Sequence, residues 1–286
     1  MIEFVITFSN QFKAMKKYIF IAMGLVSLSL FAQGNKSYEI IYDFSYQPDS
    51  TDPASQRQED MVLFRNDSIS LFQSYVKYKR DSVMKRNTEY LKNAIHTEQG
   101  IDINTLFGGY IPKISMVIKK DFKNHKYIIQ KPAGVDVYQY EEPAEVDWQI
   151  QTDTMTLSGY QCQKATTRIA GRNYAVWFTP EISIPDGPFK FFGLPGLIVQ
   201  ATDSQGFFQF KLKEFKAVDQ TAIPELRTHK VIVTTKEKYA RAKGNAAHMK
   251  INDMFKSSGI RIQISEEDER AMRKRDKKDN NPIELE

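Results

Sequence analysis

The sequence predicts a mainly β (α+β) fold: one curved antiparallel sheet, a half-barrel, with a few covering helices. Three observations predict it. Short runs alternate aromatic or β-branched residues with polar ones. Compact turn sequences separate them, such as Arg65-Asn66-Asp67-Ser68, Ala170-Gly171-Arg172-Asn173 and Asp203-Ser204-Gln205-Gly206. Strand-like runs outnumber helical ones, with no internal repeat at a solenoid period. With 286 residues, 41% of them hydrophobic, the chain can bury a sizeable core.

Taken in order, Tyr38, Ile40, Tyr42, Phe44 and Tyr46 share one face of a first strand. A polar loop follows from Gln47 to Glu59. Met61 to Phe64 and Ile69 to Phe72 form a hairpin. Tyr75 to Lys92 is highly charged and at least partly helical, and Gly108-Gly109 then breaks the chain. Ile114 to Phe122 and Tyr127 to Ile129 form a second hairpin about Lys123-Asn124-His125. Val135 to Tyr140 and Val146 to Ile150 flank an acidic loop with Pro143. Gln161 to Ile169 and Tyr174 to Phe178 are the arms of a strong hairpin.

The next stretch is the most constrained in the chain. Gly187 to Ile198 alternates three glycines and two prolines with large apolar residues. Pro195-Gly196 suits the centre of a type II turn, where proline presets φ and glycine accepts φ > 0. Leu197 to Thr202 and Phe207 to Phe215 form a further hairpin. Lys230 to Val233 is a short strand. Thr234 or Thr235 caps a helix that runs to about Phe255, with Ala240, Ala242, Ala246 and Ala247 favouring it and Gly244 weakening it.

The termini differ in character. Met15-Lys16-Lys17, the apolar run Tyr18 to Phe31 and Ala32-Gln33-Gly34 have the pattern of a secretory signal peptide. As a helix the run would span ~21 Å, short of a ~30 Å hydrocarbon core. Residues 1–14 read as an upstream extension before a true start at Met15, or as part of a longer uncleaved anchor. Three domains of composition follow: 1–33 signal peptide, 34–265 a single β-rich domain, and 266–286 a charged tail whose mixed charges suggest a solvated or frayed helix.

The formal net charge is +5. Glu3, Lys13, Lys16 and Lys17 account for +2 of it, leaving +3 for the rest. So modest a balance, without a basic stripe outside the tail, argues against a nucleic-acid partner. The single cysteine, Cys162, excludes an intramolecular disulfide.

Gly159-Tyr160-Gln161-Cys162-Gln163-Lys164-Ala165, Trp177-Phe178-Thr179-Pro180-Glu181-Ile182, Gly187-Pro188 and Gly193-Leu194-Pro195-Gly196-Leu197-Ile198 occur in that order. With the ending Asn281-Pro282-Ile283-Glu284-Leu285, they closely resemble the GLPGLI family of exported proteins. The resemblance covers roughly Trp148 to Phe215 and the last six residues. It implies an uncharacterised exported protein of Bacteroidota-type bacteria, in the periplasm or at the outer membrane. It supplies no catalytic residue. It also implies an envelope partner, since TonB-dependent receptors are frequent neighbours of the family. The hairpin pattern is similar to lipoprotein carriers as an analogy of architecture alone.

No hydrolase elbow, phosphate loop or His-Glu-x-x-His motif occurs. His96, His125, His229 and His248 read as surface or loop residues. Cys162 reads as a small buried thiol. Asp186 and Asp203 suit turns, and Asp153 and Glu181 are the other carboxylates nearest the motif. The sharper clue is apolar. Phe189, Phe191, Phe192, Leu194 and Pro195, with Trp177 before them, either plug the open side of the sheet, wall an apolar ligand cleft, or form an exposed docking patch.

The leading expectation is a non-catalytic envelope protein that binds an apolar or amphipathic ligand or an outer-membrane partner. It needs no cofactor and, once the signal is cleaved, is not an integral membrane protein. The alternatives are a hydrolase with an unrecognised carboxylate or histidine site, and a structural envelope subunit.

Overall fold

The computed structural model describes residues 36–86, 110, 112–219, 223–228, 230–248 and 279–285. Residues from Ser37 onward form one compact unit. The expected signal peptide, Gly108-Gly109, His96, His229 and most of the charged tail lie outside the described residues.

Among the described residues twelve strands make one large, curved, non-closed sheet. In chain order they are β1 (Lys36–Tyr46), β2 (Arg57–Arg65), β3 (Ile69–Ser74), β4 (Val117–Asp121), β5 (Lys126–Ala133), β6 (Asp136–Pro143), β7 (Gln149–Leu157), β8 (Tyr160–Ile169), β9 (Arg172–Thr179), β10 (Leu197–Asp203), β11 (Phe208–Asp219) and β12 (Val231–Val233). Across the sheet the order is 12-6-5-4-3-2-1-11-10-9-8-7. Two meanders therefore meet where β1 pairs with β11. Residues 144–148 alone join β6, near one end of the order, to β7 at the other, a short link that the sheet's curvature permits. Short β12 joins β6 in parallel, the one departure from the expected antiparallel pairing among the described pairs.

Alternation divides the faces. On the inner face lie Ile40, Tyr42, Phe44, Met61, Leu63, Phe72, Ile118, Ile129, Tyr174, Val176 and Phe210, all buried in one large core. The outer face has a smaller cluster of Val62, Phe64, Leu71 and Val117. Helix α1 (Tyr75–Arg86) covers it with Tyr75 and Tyr78. Ser74 caps α1 through its Oγ, which accepts from Lys77 N at 3.0 Å. Helix α2 (Lys236–His248) lies against the inner core through Tyr239, Ala242 and Ala246. Thr235 Oγ1 accepts from Lys238 N at 3.4 Å, which places the cap at the second of the two expected threonines.

Three expectations are corrected. The strand expected at Val146 to Ile150 is instead β7, which starts at Gln149 and runs to Leu157. It is an edge strand exposed on both faces, so its sequence has no apolar alternation to betray it. The type II turn at Pro195-Gly196 is a tighter one. Gly196 N donates to Leu194 O at 2.7 Å, while Leu197 N goes elsewhere, to Ile182 O at 3.0 Å. Finally, residues 279–285 are neither helical nor solvated throughout: Asn281 and Glu284 are buried against the body.

Candidate functional site

The loop between β9 and β10 packs onto the inner face. Phe189, Phe191 and Leu194 are fully buried, Phe192 and Trp177 half-buried, and Pro195 exposed. Phe191 meets Tyr174 edge-on with centroids 4.9 Å apart, and Phe189 stacks over Phe210 at 6.4 Å. Trp148 Nε1 donates to Phe192 O at 2.8 Å, and Tyr127 OH to Lys190 O at 2.6 Å. The loop is rigid for local reasons. Gly196 sits at φ +150°, where a Cβ would lie 2.0 Å from Thr179 O. Gly187 approaches Ile198 so closely that a Cβ would meet its side chain at 2.9 Å. Phe189 holds φ +53°, uncommon for a bulky residue and kept here by complete burial.

Three buried charge groups hold the loop and the tail in place. In the first, Lys120 Nζ lies 2.6 Å from Asp186 Oδ1, Gly187 O and Phe191 O. Arg65 Nε stands 3.6 Å from the other Asp186 oxygen and its guanidinium covers the Phe122 ring. Burial lowers the Lys120 pKa, and Asp186 opposes that shift. In the second group, Arg172 reaches the tail. Its Nη2 donates to Asn281 Oδ1 at 2.5 Å and Pro282 O at 2.6 Å, and its Nη1 lies 3.4 Å from Asp203.

The third group joins loop to tail. Lys190 Nζ lies 2.6 Å from Glu284 and 2.5 Å from Glu142. Lys131 also pairs with Glu284, and Lys236 with Glu142 at 3.0 Å. Burial pushes the Glu284 carboxyl up, but Lys131 and Lys190 outweigh it and hold it below its ordinary value. The tail is further tied by Asn281 N to Pro48 O, Asn281 Nδ2 to Gln47 O, and Leu285 N to Ala170 O.

Beside this third group is a cavity of about 620 Å³ on the inner face. Phe44, Met61, Phe72, Tyr140, Phe208 and Phe210 underlie its floor at 3% exposure or less, and Ile114, Met116 and Ile283 supply the half-buried apolar surface above them. Tyr239 of α2 forms part of one wall. Lys113, Lys131, Lys236 and Lys243 supply cations, and Asp279 and Glu284 anions. The tail from Asn281 to Leu285 is another wall. The volume falls within the ~300–1,000 Å³ usual for small-molecule sites. None of Phe189, Phe191, Phe192, Leu194, Pro195 and Trp177 lines it. The loop phenylalanines pack the neighbouring core instead.

The candidate reactive residues are kept apart from chemistry. Cys162 is buried and its Sγ donates to Tyr160 O at 3.5 Å. Burial pushes its thiol up, and the nearby Glu181 charge adds to this, the reverse of an activated nucleophile. Glu181 Oε1 accepts from Gln161 N at 2.8 Å. Asp203 closes its turn by accepting from Phe208 N at 2.8 Å, as expected, but also faces Arg172. Asp153 is exposed on β7. Asp186 accepts from Gly187 N at 2.8 Å as a turn residue would, while also anchoring Lys120. Among the described residues no cluster of His, Cys, Asp and Glu has a metal-binding arrangement.

Sequence reasoning missed the charge groups, yet a signal existed. In β2, Glu59 and Arg65 share the parity of Met61 and Leu63. In β4, Lys120 shares that of Ile118, and in β5 Lys131 that of Tyr127 and Ile129. A charge at an inward position must find a partner inside.

The fold and site thus define a β-rich protein with an ion-paired loop and tail beside an apolar cavity. The family described as "Protein of unknown function (Porph_ging)" matches residues 170–200, the stretch from the β8–β9 turn to β10. No curated protein sequence matches the chain. Among solved structures, PNGF-II is similar in two crystal forms, at 14% identity over 74% of this chain. The TM-scores are 0.49 in the P21 form and 0.50 in the C2 form. This chain spans about a third of PNGF-II, 34% and 33% respectively, and the likeness concerns the β-rich fold alone.

Proposed function

We propose that this is an exported, non-catalytic protein of the bacterial envelope, of the GLPGLI type, that holds an apolar or amphipathic ligand in its inner-face cavity. The observation that carries the reading is the cavity: about 620 Å³, lined by half-buried Ile114, Met116 and Ile283 over an aromatic core, with lysines around it. The signal-like N-terminus and the GLPGLI-like motifs support the placement in the envelope. Native mass spectrometry of protein purified from exporting cells tests it. Co-purified lipid or another amphiphile is the expected result. Bare protein that also fails to take up a neutral fluorescent apolar probe would sink the reading.

A second reading, docking to an outer-membrane partner such as a TonB-dependent receptor, has one observation in its favour. Edge strand β7 is paired only to β8 and exposes Ile150 and Met155. A photo-crosslinker at Ile150 that captures no envelope protein in cells would remove this support.

A further inference from the structure

The cavity places one carboxylate of the chain itself where a ligand head would sit. Glu284 lies at the cavity wall with its carboxylate between Lys131 and Lys190. Around it, three lysines (131, 190 and 236) share two carboxylates, Glu142 and Glu284. The buried lysines and carboxylates balance, and Lys236, 37% exposed, brings one surplus positive charge to the cavity lining, where it attracts an anion. The cavity lining tells the same story, with Lys113, Lys131, Lys236 and Lys243 against Asp279 and Glu284. Next to these charges the lining is apolar, with half-buried Ile114, Met116 and Ile283.

The Glu284 side chain is not the tail's sole support. Arg172 grips Asn281 and the Pro282 carbonyl, and the Leu285 amide donates to Ala170 O. None of these contacts involves the Glu284 carboxylate. If that carboxylate swings away, Lys131, which lines the cavity, is left without it as a ready anion site, while Lys190 keeps Glu142.

From this we infer that the ligand is an amphiphile with an anionic head. The head displaces the Glu284 carboxylate from Lys131, with Lys236 and Lys243 beside it, and the apolar chain lies along Ile114, Met116 and Ile283. The inference rests on the cavity reading above and deepens it. Glu284 is then an internal stand-in that keeps Lys131 neutralised while the cavity is empty.

Palmitate, hexadecyl phosphate and hexadecanol, each competed against a neutral fluorescent apolar probe at neutral pH, test it. Palmitate, hexadecyl phosphate or both should bind about tenfold tighter than hexadecanol, and which of the two is tighter identifies the head chemistry. Glu284→Gln keeps the shape and removes the competing charge. It should tighten the anionic amphiphiles by about tenfold and leave hexadecanol unchanged. Lys131→Gln should reduce them to the hexadecanol level. Equal binding of all three, unmoved by Glu284→Gln, overturns the anionic head while leaving the cavity reading intact. No binding by any probe to any correctly folded variant overturns both. Glu284→Gln is a gain-of-affinity test, so a folding defect in Lys131→Gln does not rescue the proposal.

Discussion

Lys120→Met isolates the buried ion pair under the glycine-proline loop. Methionine matches the length of the lysine stem but removes the charge. Three contacts at 2.6 Å are lost at once: the Asp186 carboxylate and the carbonyls of Gly187 and Phe191. Removing one partner of a buried pair costs roughly 3–5 kcal/mol, because the other charge stays behind. Each orphaned carbonyl adds ~1–3 kcal/mol where water cannot reach it. Against this, Arg65 at 3.6 Å takes up part of the stranded Asp186 charge. With that offset we expect a net loss of at least about 4 kcal/mol, a large part of the ~5–15 kcal/mol that holds a typical domain together. Urea unfolding followed by tryptophan fluorescence reads it. With a slope of about 3 kcal/mol/M, the midpoint falls by at least about 1.3 M. Adding Asp186→Asn removes the stranded charge and keeps an acceptor for Gly187 N, so the double variant should recover about 2 kcal/mol. A midpoint shift below about 0.3 M for the single variant, or a double variant that is simply the sum of two losses, would refute the reasoning.

Four further outcomes are expected. Gly196→Ala drives a Cβ onto the Thr179 carbonyl and should cost more than about 3 kcal/mol, whereas Gly159→Ala, at φ +85° with open space around it, should cost about 1 kcal/mol in the same urea assay. Because the folded Glu284 carboxyl titrates below its ordinary value, its contribution is present above the unfolded pKa and fades as pH falls through the lower folded one. The stability gap between wild type and Glu284→Gln, measured from neutral pH into acid, should therefore close on the acid side; a gap that widened there would contradict the ion pair. Deleting residues 279–286 strands Arg172, which is 4% exposed, and should lower the melting temperature markedly; an unchanged melt would show that the tail is passive. Cys162 should resist iodoacetamide in the native state and react only once urea opens the fold, as mass spectrometry would show.

Much of the architecture was legible because a half-buried strand writes its geometry into alternating side chains. Tyr38 to Tyr46 gave β1 its inward face, and the glycines at 159 and 171, both at positive φ, marked two-residue turns. Strand β7 was hidden for the same reason: exposed on both faces, Gln151 to Thr156 carries no alternation to detect. The site was legible only in fragments. Apolar crowding drew attention to Phe189 to Leu194, which proved to pack the core beside the cavity, while the floor comes from β1, β2, β3, β6 and β11. Lys190 and Glu284 stand 94 residues apart in sequence yet 2.6 Å apart in space, and no local pattern encodes such a meeting. The lysines at inward parity were the available hint, readable once strand register is known.

The seven residues from Asp279 to Leu285 bind both ends of the sheet's history. They touch Gln47, Pro48 and Lys131 from the first meander and Ala170, Arg172 and Lys190 from the second. These residues follow both meanders in sequence, so a chain made N-terminus first makes the contacts only after all twelve strands exist. Closure over such separations has high contact order and is a slow part of folding.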